Sequence, residues 1–144
     1  GDTISAAGLV PVTEDRRDAT WVRYDAFVDR NARRPRARED LERATFYGEL
    51  KHLIALHLPA SPDLDLSEPT VLLLADIHSC KADIDGPLGA KLYEAMGTWQ
   101  VHDLSCVQYL VGRVRVPRTG RAVWAIIDRS LVPGQGLYAD DVDP

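Results

Sequence analysis

VQYLVGRVRV, which is residues 107–116, is the stretch that decides the fold of this chain. Its valines and its tyrosine are strand formers, and Gly112 indicates a bulge or a bend. A second β-rich stretch, RAVWAIID, follows at residues 121–128. Because Pro117–Gly120 between them has the composition of a turn, the two stretches predict a β-hairpin.

Other parts of the chain add further strand candidates. Residues 70–78 (TVLLLADIH) form a continuous apolar run bounded by turn residues, which predicts a buried strand. Residues 19–29 and 45–58 fit both strand alternation and helical spacing; aromatic and β-branched content favours a strand for the first. In the second, Gly48 would weaken a helix and would permit a bulge in a strand. Three shorter elements complete the prediction: a β-rich piece at 99–103 and short helical segments at 36–43 and 88–95.

These elements predict a mainly β fold with little helix. We expect a small antiparallel barrel, SH3-like or related, of five to six strands with long loops and at most short helices. The length of 144 residues suits one domain and is too short for two comfortable ones. We expect an extended lead-in at 1–18, a single β-rich domain at 19–130 and an irregular acidic tail at 131–144.

The composition excludes several classes of protein. With 45% hydrophobic and 27% charged residues, the chain is neither wholly disordered nor a coiled coil. No apolar run approaches the ~20 residues that a membrane-spanning helix needs, so no membrane partner is expected. Two cysteines, Cys80 and Cys106, are too few for a secreted disulfide scaffold and indicate an intracellular compartment. The start at Gly1 and the single Met96 suggest a piece of something longer.

The net charge of −5 disfavours a uniformly basic nucleic-acid binder, but it conceals two local basic groups. Arginine suits phosphate recognition, so both groups are candidates for contact with phosphates or a nucleic-acid backbone. The alternative for the first group is a solvated loop whose charge is offset by Glu39, Asp40 and Glu42. The candidate phosphate-binding residues are Arg30, Arg33, Arg34, Arg36, Arg38, Arg113 and Arg115.

Two imidazoles and two thiols form a candidate zinc site. Zinc takes such ligands tetrahedrally, and their segments are candidates for neighbouring strands. The alternatives are ordinary histidines and a buried cysteine acting as a small hydrophobic residue. The candidate ligands, which would also serve a zinc- or thiol-dependent enzyme, are His78, Cys80, His102 and Cys106. No other cofactor is expected.

Aromatic residues form a third candidate site. Small β-barrels use aromatic cages to bind methylated lysine through cation–π attraction, although large rings more often fill the core of a small β-fold. The candidate residues for such a reader pocket are Trp21, Tyr47, Trp99 and Trp124.

Several blocks of the chain, taken in order, resemble a known module. They are WVRY (21–24), NARRPR (31–36), FYGEL (46–50), TVLLLA (70–75), VHDLSCVQYLVGRV (101–114) and WAIIDRS (124–130). In this order they resemble the module found in proteins of fungal DNA transposons of the Kyakuja-Dileera-Zisupton group. A weaker similarity runs to the C-terminal domain of plant CACTA-type transposon proteins. The resemblance covers roughly residues 20–138, and VGRV with WAIIDRS is its most specific part.

The resemblance implies a setting rather than a reaction. It implies a non-catalytic interaction module of a transposon-derived protein, acting in a eukaryotic and specifically fungal nucleus. No catalytic residues are carried over from it. The implied partners are other regions of the parent protein or a chromatin protein or peptide, with nucleic-acid backbone as a further candidate.

Overall fold

The computed structural model describes residues 3–9, 18–117 and 120–131. Within these ranges the chain forms nine strands and four short 3-10 turns, without an α-helix. The strands are β1 (Trp21–Asp29), β2 (Leu41–Leu58), β3 (Thr70–Cys80), β4 (Ile84–Asp85), β5 (Lys91–Tyr93), β6 (Met96–Asp103), β7 (Val107–Leu110), β8 (Gly112–Val116) and β9 (Val123–Ile127). The 3-10 turns are Pro62–Leu64, Pro87–Gly89, Leu104–Cys106 and Arg129–Leu131.

The strands form two antiparallel sheets with the orders β6-β3-β2-β1-β7 and β4-β5-β9-β8. The prediction of a mainly β, antiparallel fold with at most short helices is therefore confirmed. Within the described residues the sheets do not close into a barrel, and nine strands replace the expected five or six. No helix found there is long and apolar enough to cross a membrane.

Several predicted elements are corrected in detail. The expected strand 107–116 divides at Val111, whose backbone N–H donates to the carbonyl of Trp21, so that β7 and β8 lie in different sheets. The second half does pair with β9 as the predicted hairpin, although residues 118–119 of its turn lie outside the described residues. Instead of short helices, 36–43 forms turns and the start of β2, and 88–95 contains a 3-10 turn and β5.

The strand β2 is the longest strand and the centre of the five-stranded sheet. It has 18 residues and spans about 60 Å at ~3.3 Å per residue. Its first half pairs with β1 and its second half with β3. Because β7 joins β1 only at Val22–Tyr24 and β6 joins β3 only from Leu74 onward, each end of β2 continues as a two-stranded projection. We call residues 25–45 the basic ribbon and residues 53–73 the apolar arm.

Two cores lie on opposite faces of the five-stranded sheet, because successive side chains of a strand alternate between faces. The first contains Val22, Tyr24, Leu50, Ala75 and Ile77, with Ala6 packed against them. The second contains Trp21, Tyr47, Cys80, Tyr93, Val111 and Ile126, which come from both sheets. The stacked rings of Trp21 and Tyr93, 5.4 Å apart, belong to this second core and join the two sheets.

The structure describes part of the predicted lead-in but almost none of the predicted acidic tail. Residues 3–9 fall within the predicted lead-in, yet they attach to the first core. Ala6 is buried there, and the Ala7 N–H donates to the Leu50 carbonyl at 2.8 Å. Of the predicted acidic tail, residues 132–144 lie outside the described residues.

Candidate functional site

The apolar arm exposes large hydrophobic side chains on both of its faces. Leu53 and Leu73, 49% and 52% exposed, point to one face, whereas Leu56 and Leu72 point to the other. The cause is that no third strand accompanies this part of the hairpin among the described residues. The sequence LIALHL lacks the apolar–polar alternation of a strand with one wet face, and it is typical of strands covered on both sides.

One face of the arm continues onto β6 and forms an apolar shelf. We define this shelf by the residues Ile54, Leu56, Leu72, Trp99 and Val101. Trp99 and Val101 are 58% and 57% exposed, and the strand register places both on the same face as Leu56. The second sheet covers the neighbouring part of this face over the second core and leaves the shelf open.

Polar groups within and beside the shelf are paired. His52 Nδ1 lies 2.9 Å from Asp76 Oδ2, and these two residues share a cross-strand row with Val101. The ring of Trp99 stacks on the ring of His78, with centroids 4.2 Å apart. The shelf therefore offers apolar area around the His52–Asp76 pair, and two further acids lie at its border: Glu49, which pairs with Lys51, and Asp103, which accepts from Ser105.

The loop of the basic ribbon is held in one conformation by its own hydrogen bonds. Asp29 Oδ1 accepts from the backbone N–H groups of Asn31 and Asp40, at 2.8 and 2.9 Å. Asn31 Nδ2 donates to the carbonyl of Arg38 at 2.8 Å. Arg30 pairs with Glu42. The remaining arginines of the loop are exposed, and none forms an ion pair among the described residues: Arg33, Arg34, Arg36 and Arg38.

The second basic group lies elsewhere, on β8 in the four-stranded sheet. Arg113 is sandwiched between Trp21 and Trp124, 4.2 and 4.5 Å from the two ring centroids. It donates to the hydroxyl of Tyr93 at 3.0 Å. Arg115 is exposed on the same strand. The structure thus separates the two predicted basic groups and gives Arg113 a role in packing.

The four candidate reader-pocket rings do not come together. Trp21 and Tyr47 are buried, and Trp99 lies three strands from Trp21 in one row, which is about 14 Å at the usual strand spacing. Trp21 and Trp124 do surround a cation, but that cation is the chain's own Arg113. The third ring of this group is Tyr93, which the sequence reasoning missed because no local pattern distinguishes it.

We expect Arg113→Ala to lower the free energy of unfolding by about 2 kcal/mol. The substitution removes two cation–π contacts of roughly 0.5–2 kcal/mol each and the hydrogen bond to Tyr93. Urea denaturation followed by tryptophan fluorescence measures the effect. Arg115→Ala, which removes the same charge from an exposed position on the same strand, is the control and should change stability by less than about 0.5 kcal/mol. Equal losses in the two variants would contradict the packing role.

The four candidate metal ligands are also not brought together. Register places His78 and His102 on opposite faces of the five-stranded sheet, since His78 pairs with Trp99 and His102 with Ala75. Cys80 is buried in the second core, where burial raises the pKa of its thiol to about 12. No cluster of three or more potential metal ligands occurs in the described ranges. Burial therefore keeps the Cys80 thiol protonated near neutral pH, which disfavours it as a nucleophile.

A buried polar cluster joins the two sheets and was not singled out by the sequence. The carboxylate of Asp128, just after β9, accepts a hydrogen bond from the Tyr47 hydroxyl at 2.8 Å and lies 3.2 Å from Arg23 Nη1. Its other oxygen accepts from Ser130. Because Asp128 and Tyr47 are buried and the contacts connect the two sheets, the role of the cluster is to hold the sheets together.

Comparison with known proteins yields no match to a family model, to a curated protein or to a solved structure.

Proposed function

We propose that this chain is a non-catalytic interaction module of a transposon-derived protein, acting in a fungal nucleus, and that it binds a second copy of the same protein through the apolar shelf. The resemblance of the sequence to mobile-element proteins suggests the setting. The observation that carries the binding role is the exposed apolar shelf. The rival function, a zinc- or thiol-dependent enzyme, is not favoured by any described geometry.

The size of the shelf suits a docking surface. Residues 52–58 of β2 and their β3 partners give a strip of about 23 Å by 10 Å, and β6 adds Trp99 and Val101 beside the end of the strip nearest the core. Burying a Leu or Ile side chain fully is worth about 1.5–3 kcal/mol. Contiguous apolar patches of a few hundred Å² on a monomer are often functional. Burying this patch would therefore stabilise a complex by several kcal/mol of hydrophobic free energy. A second sheet packed ~10 Å above it would bury these side chains.

A second copy fits because the shelf is complementary to itself. A two-fold dimer places the same patch against itself, so that unpaired charge in the patch would be repelled. Among the described residues, the shelf's rows contain three acids: Asp76 beside His52, Glu49 paired with Lys51, and Asp103 at the end of β6, which accepts hydrogen bonds from Ser105. The acidic residues Asp63, Asp65 and Glu68 lie beyond the shelf in the loop that closes the arm. Two shelves can therefore meet through apolar side chains.

We expect the full 144-residue chain to dimerise reversibly, as measured by sedimentation equilibrium over a range of concentrations. The double variant Leu56→Gln/Leu72→Gln should weaken dimerisation at least tenfold, because it places two amides in the apolar contact. Both side chains are exposed, so the fold should be retained, which circular dichroism checks.

The matched control is Leu53→Gln/Leu73→Gln, which makes the same exchange on the opposite face of the same arm. It should leave dimerisation unchanged within about threefold. A wild-type chain that stays monomeric at every concentration would contradict the second copy as the occupant. Equal weakening by the two double variants would contradict the assignment to the shelf.

A further inference from the structure

The basic ribbon is, like the arm, a narrow two-stranded hairpin, but its tip carries arginines. Residues 25–29 pair with 41–45, and the loop 30–40 caps them. The Asp29 and Asn31 hydrogen bonds fix this loop, so a ligand would not have to order it. A preorganised binding segment loses less conformational entropy on binding than a flexible one.

Among the described residues, the arginines of this loop have no partner that explains them. Arg33, Arg34, Arg36 and Arg38 are exposed and form no ion pair within the described part of the chain. Arginine is planar, permanently charged and well suited to bind phosphate with two parallel hydrogen bonds. Four such groups on one hairpin tip favour a ligand with several regularly spaced phosphates.

The overall charge of −5 does not cancel this local field. Over the basic ribbon, residues 25–45, six arginines face five carboxylates. Three of those carboxylates are engaged inside the ribbon: Asp25 with Arg43, Asp29 with backbone N–H groups and Glu42 with Arg30. The acidic loop 59–69 lies at the other end of β2, about 60 Å away. At 0.1 M salt the Debye length is only about 10 Å, so that loop is screened from the ribbon.

We infer that the basic ribbon binds the phosphate backbone of duplex DNA without regard to sequence. The major groove of B-DNA, about 12 Å wide, admits a two-stranded β-ribbon, with the sugar–phosphate strands on either side. A ribbon entering it would bring its arginines against both strands. The apolar shelf and the basic ribbon lie at different ends of β2, so this inference is independent of dimerisation.

The inference is tested by fluorescence anisotropy of a labelled 20-base-pair duplex titrated with the full chain at several salt concentrations. If three arginines engage phosphates, Arg33→Gln/Arg34→Gln/Arg36→Gln should weaken binding at least tenfold at 0.1 M salt. It should also flatten the slope of log K against log salt by about 2 to 3, since each contact contributes about 0.9. Because the three side chains are exposed in a loop, circular dichroism should show an unchanged fold.

Two further variants serve as controls. Lys81→Gln/Arg121→Gln/Arg129→Gln makes the same change of net charge at exposed positions after β3, before β9 and after β9, and should bind within about twofold of wild type. Arg33→Lys/Arg34→Lys/Arg36→Lys keeps the charge and should keep the salt slope. Equal weakening by both glutamine variants would overturn the inference, as would the absence of duplex binding. Binding to anionic lipid vesicles without binding to the duplex would also overturn it.

Discussion

Asp128→Ala is expected to lower the free energy of unfolding by about 3 kcal/mol, because it breaks a buried ion pair from one side. The carboxylate of Asp128 is 3% exposed and Arg23 is 18% exposed. Without the carboxylate, the Arg23 guanidinium and the buried Tyr47 hydroxyl lose their shared acceptor. Losses of 3–5 kcal/mol are typical of such breaks, and the partial exposure of Arg23 places this one at the lower end. Urea denaturation of both proteins measures the difference.

Asp85→Ala is the matched control. Asp85 also pairs with a cation, Lys91, but its side chain is 82% exposed. Exposed pairs of this kind contribute about 0–1 kcal/mol. We therefore expect a change below about 0.5 kcal/mol, and a loss equal to that of Asp128→Ala would contradict the role given to burial.

The same cluster predicts how stability depends on pH. Burial alone would raise the pKa of the Asp128 carboxyl, but hydrogen bonds from Ser130 and Tyr47 and the charge of Arg23 outweigh it and lower that pKa below its ordinary value of 3.8. The unfolded state therefore binds a proton more readily than the folded state. The stabilisation is complete above the unfolded pKa and is lost as pH falls through the folded pKa. Asp128→Asn should reduce this acid-dependent loss, measured by thermal melts between pH 5 and pH 2.

The sequence could predict which residues form strands, but it could not predict which strands pair or which sheet covers them. The apolar run at 70–78 indicated a strand, and β3 is there, but Leu72 and Leu73 are exposed instead of buried. Local composition shows that a strand has apolar side chains suited to burial. It carries no information on whether a third strand or a second sheet covers those side chains. The sequence therefore did not indicate that residues 53–73 would form an exposed apolar arm.

The bend at Val111 illustrates the same limit. Residues 107–116 fit one continuous strand, and Gly112 was the only sign of a break. In the structure Val111 is buried, and its N–H binds the end of β1 at Trp21 while Gly112 already pairs with Ile127 in the other sheet. By contrast, the basic loop could be predicted directly, because a run of arginines around Pro35 has no place in a β-core.

Gly48→Ala is expected to lower the free energy of unfolding by about 2–3 kcal/mol, because there is no room for a β-carbon at this position. Gly48 lies in the middle of β2, paired with Val22 on one side and Ser79 on the other. A β-carbon there would lie 2.6 Å from the backbone oxygen of His78 and 2.7 Å from Cγ2 of Ile77. The first neighbour is backbone in a central strand and cannot rotate away, so the sheet itself must shift.

Gly112→Ala separates this steric effect from the general effect of adding a methyl group to a strand. Its β-carbon would meet Cβ of Ile127 at 3.7 Å, which is ordinary van der Waals contact. Alanine restricts the unfolded chain more than glycine does, so a gain of up to about 1 kcal/mol or no change is expected there. Chemical denaturation should therefore show a large loss in the free energy of unfolding for Gly48→Ala. For Gly112→Ala it should show no loss, or a gain if the entropic effect on the unfolded chain dominates. If Gly48→Ala were as stable as wild type, β2 and β3 could not approach as closely as their register requires.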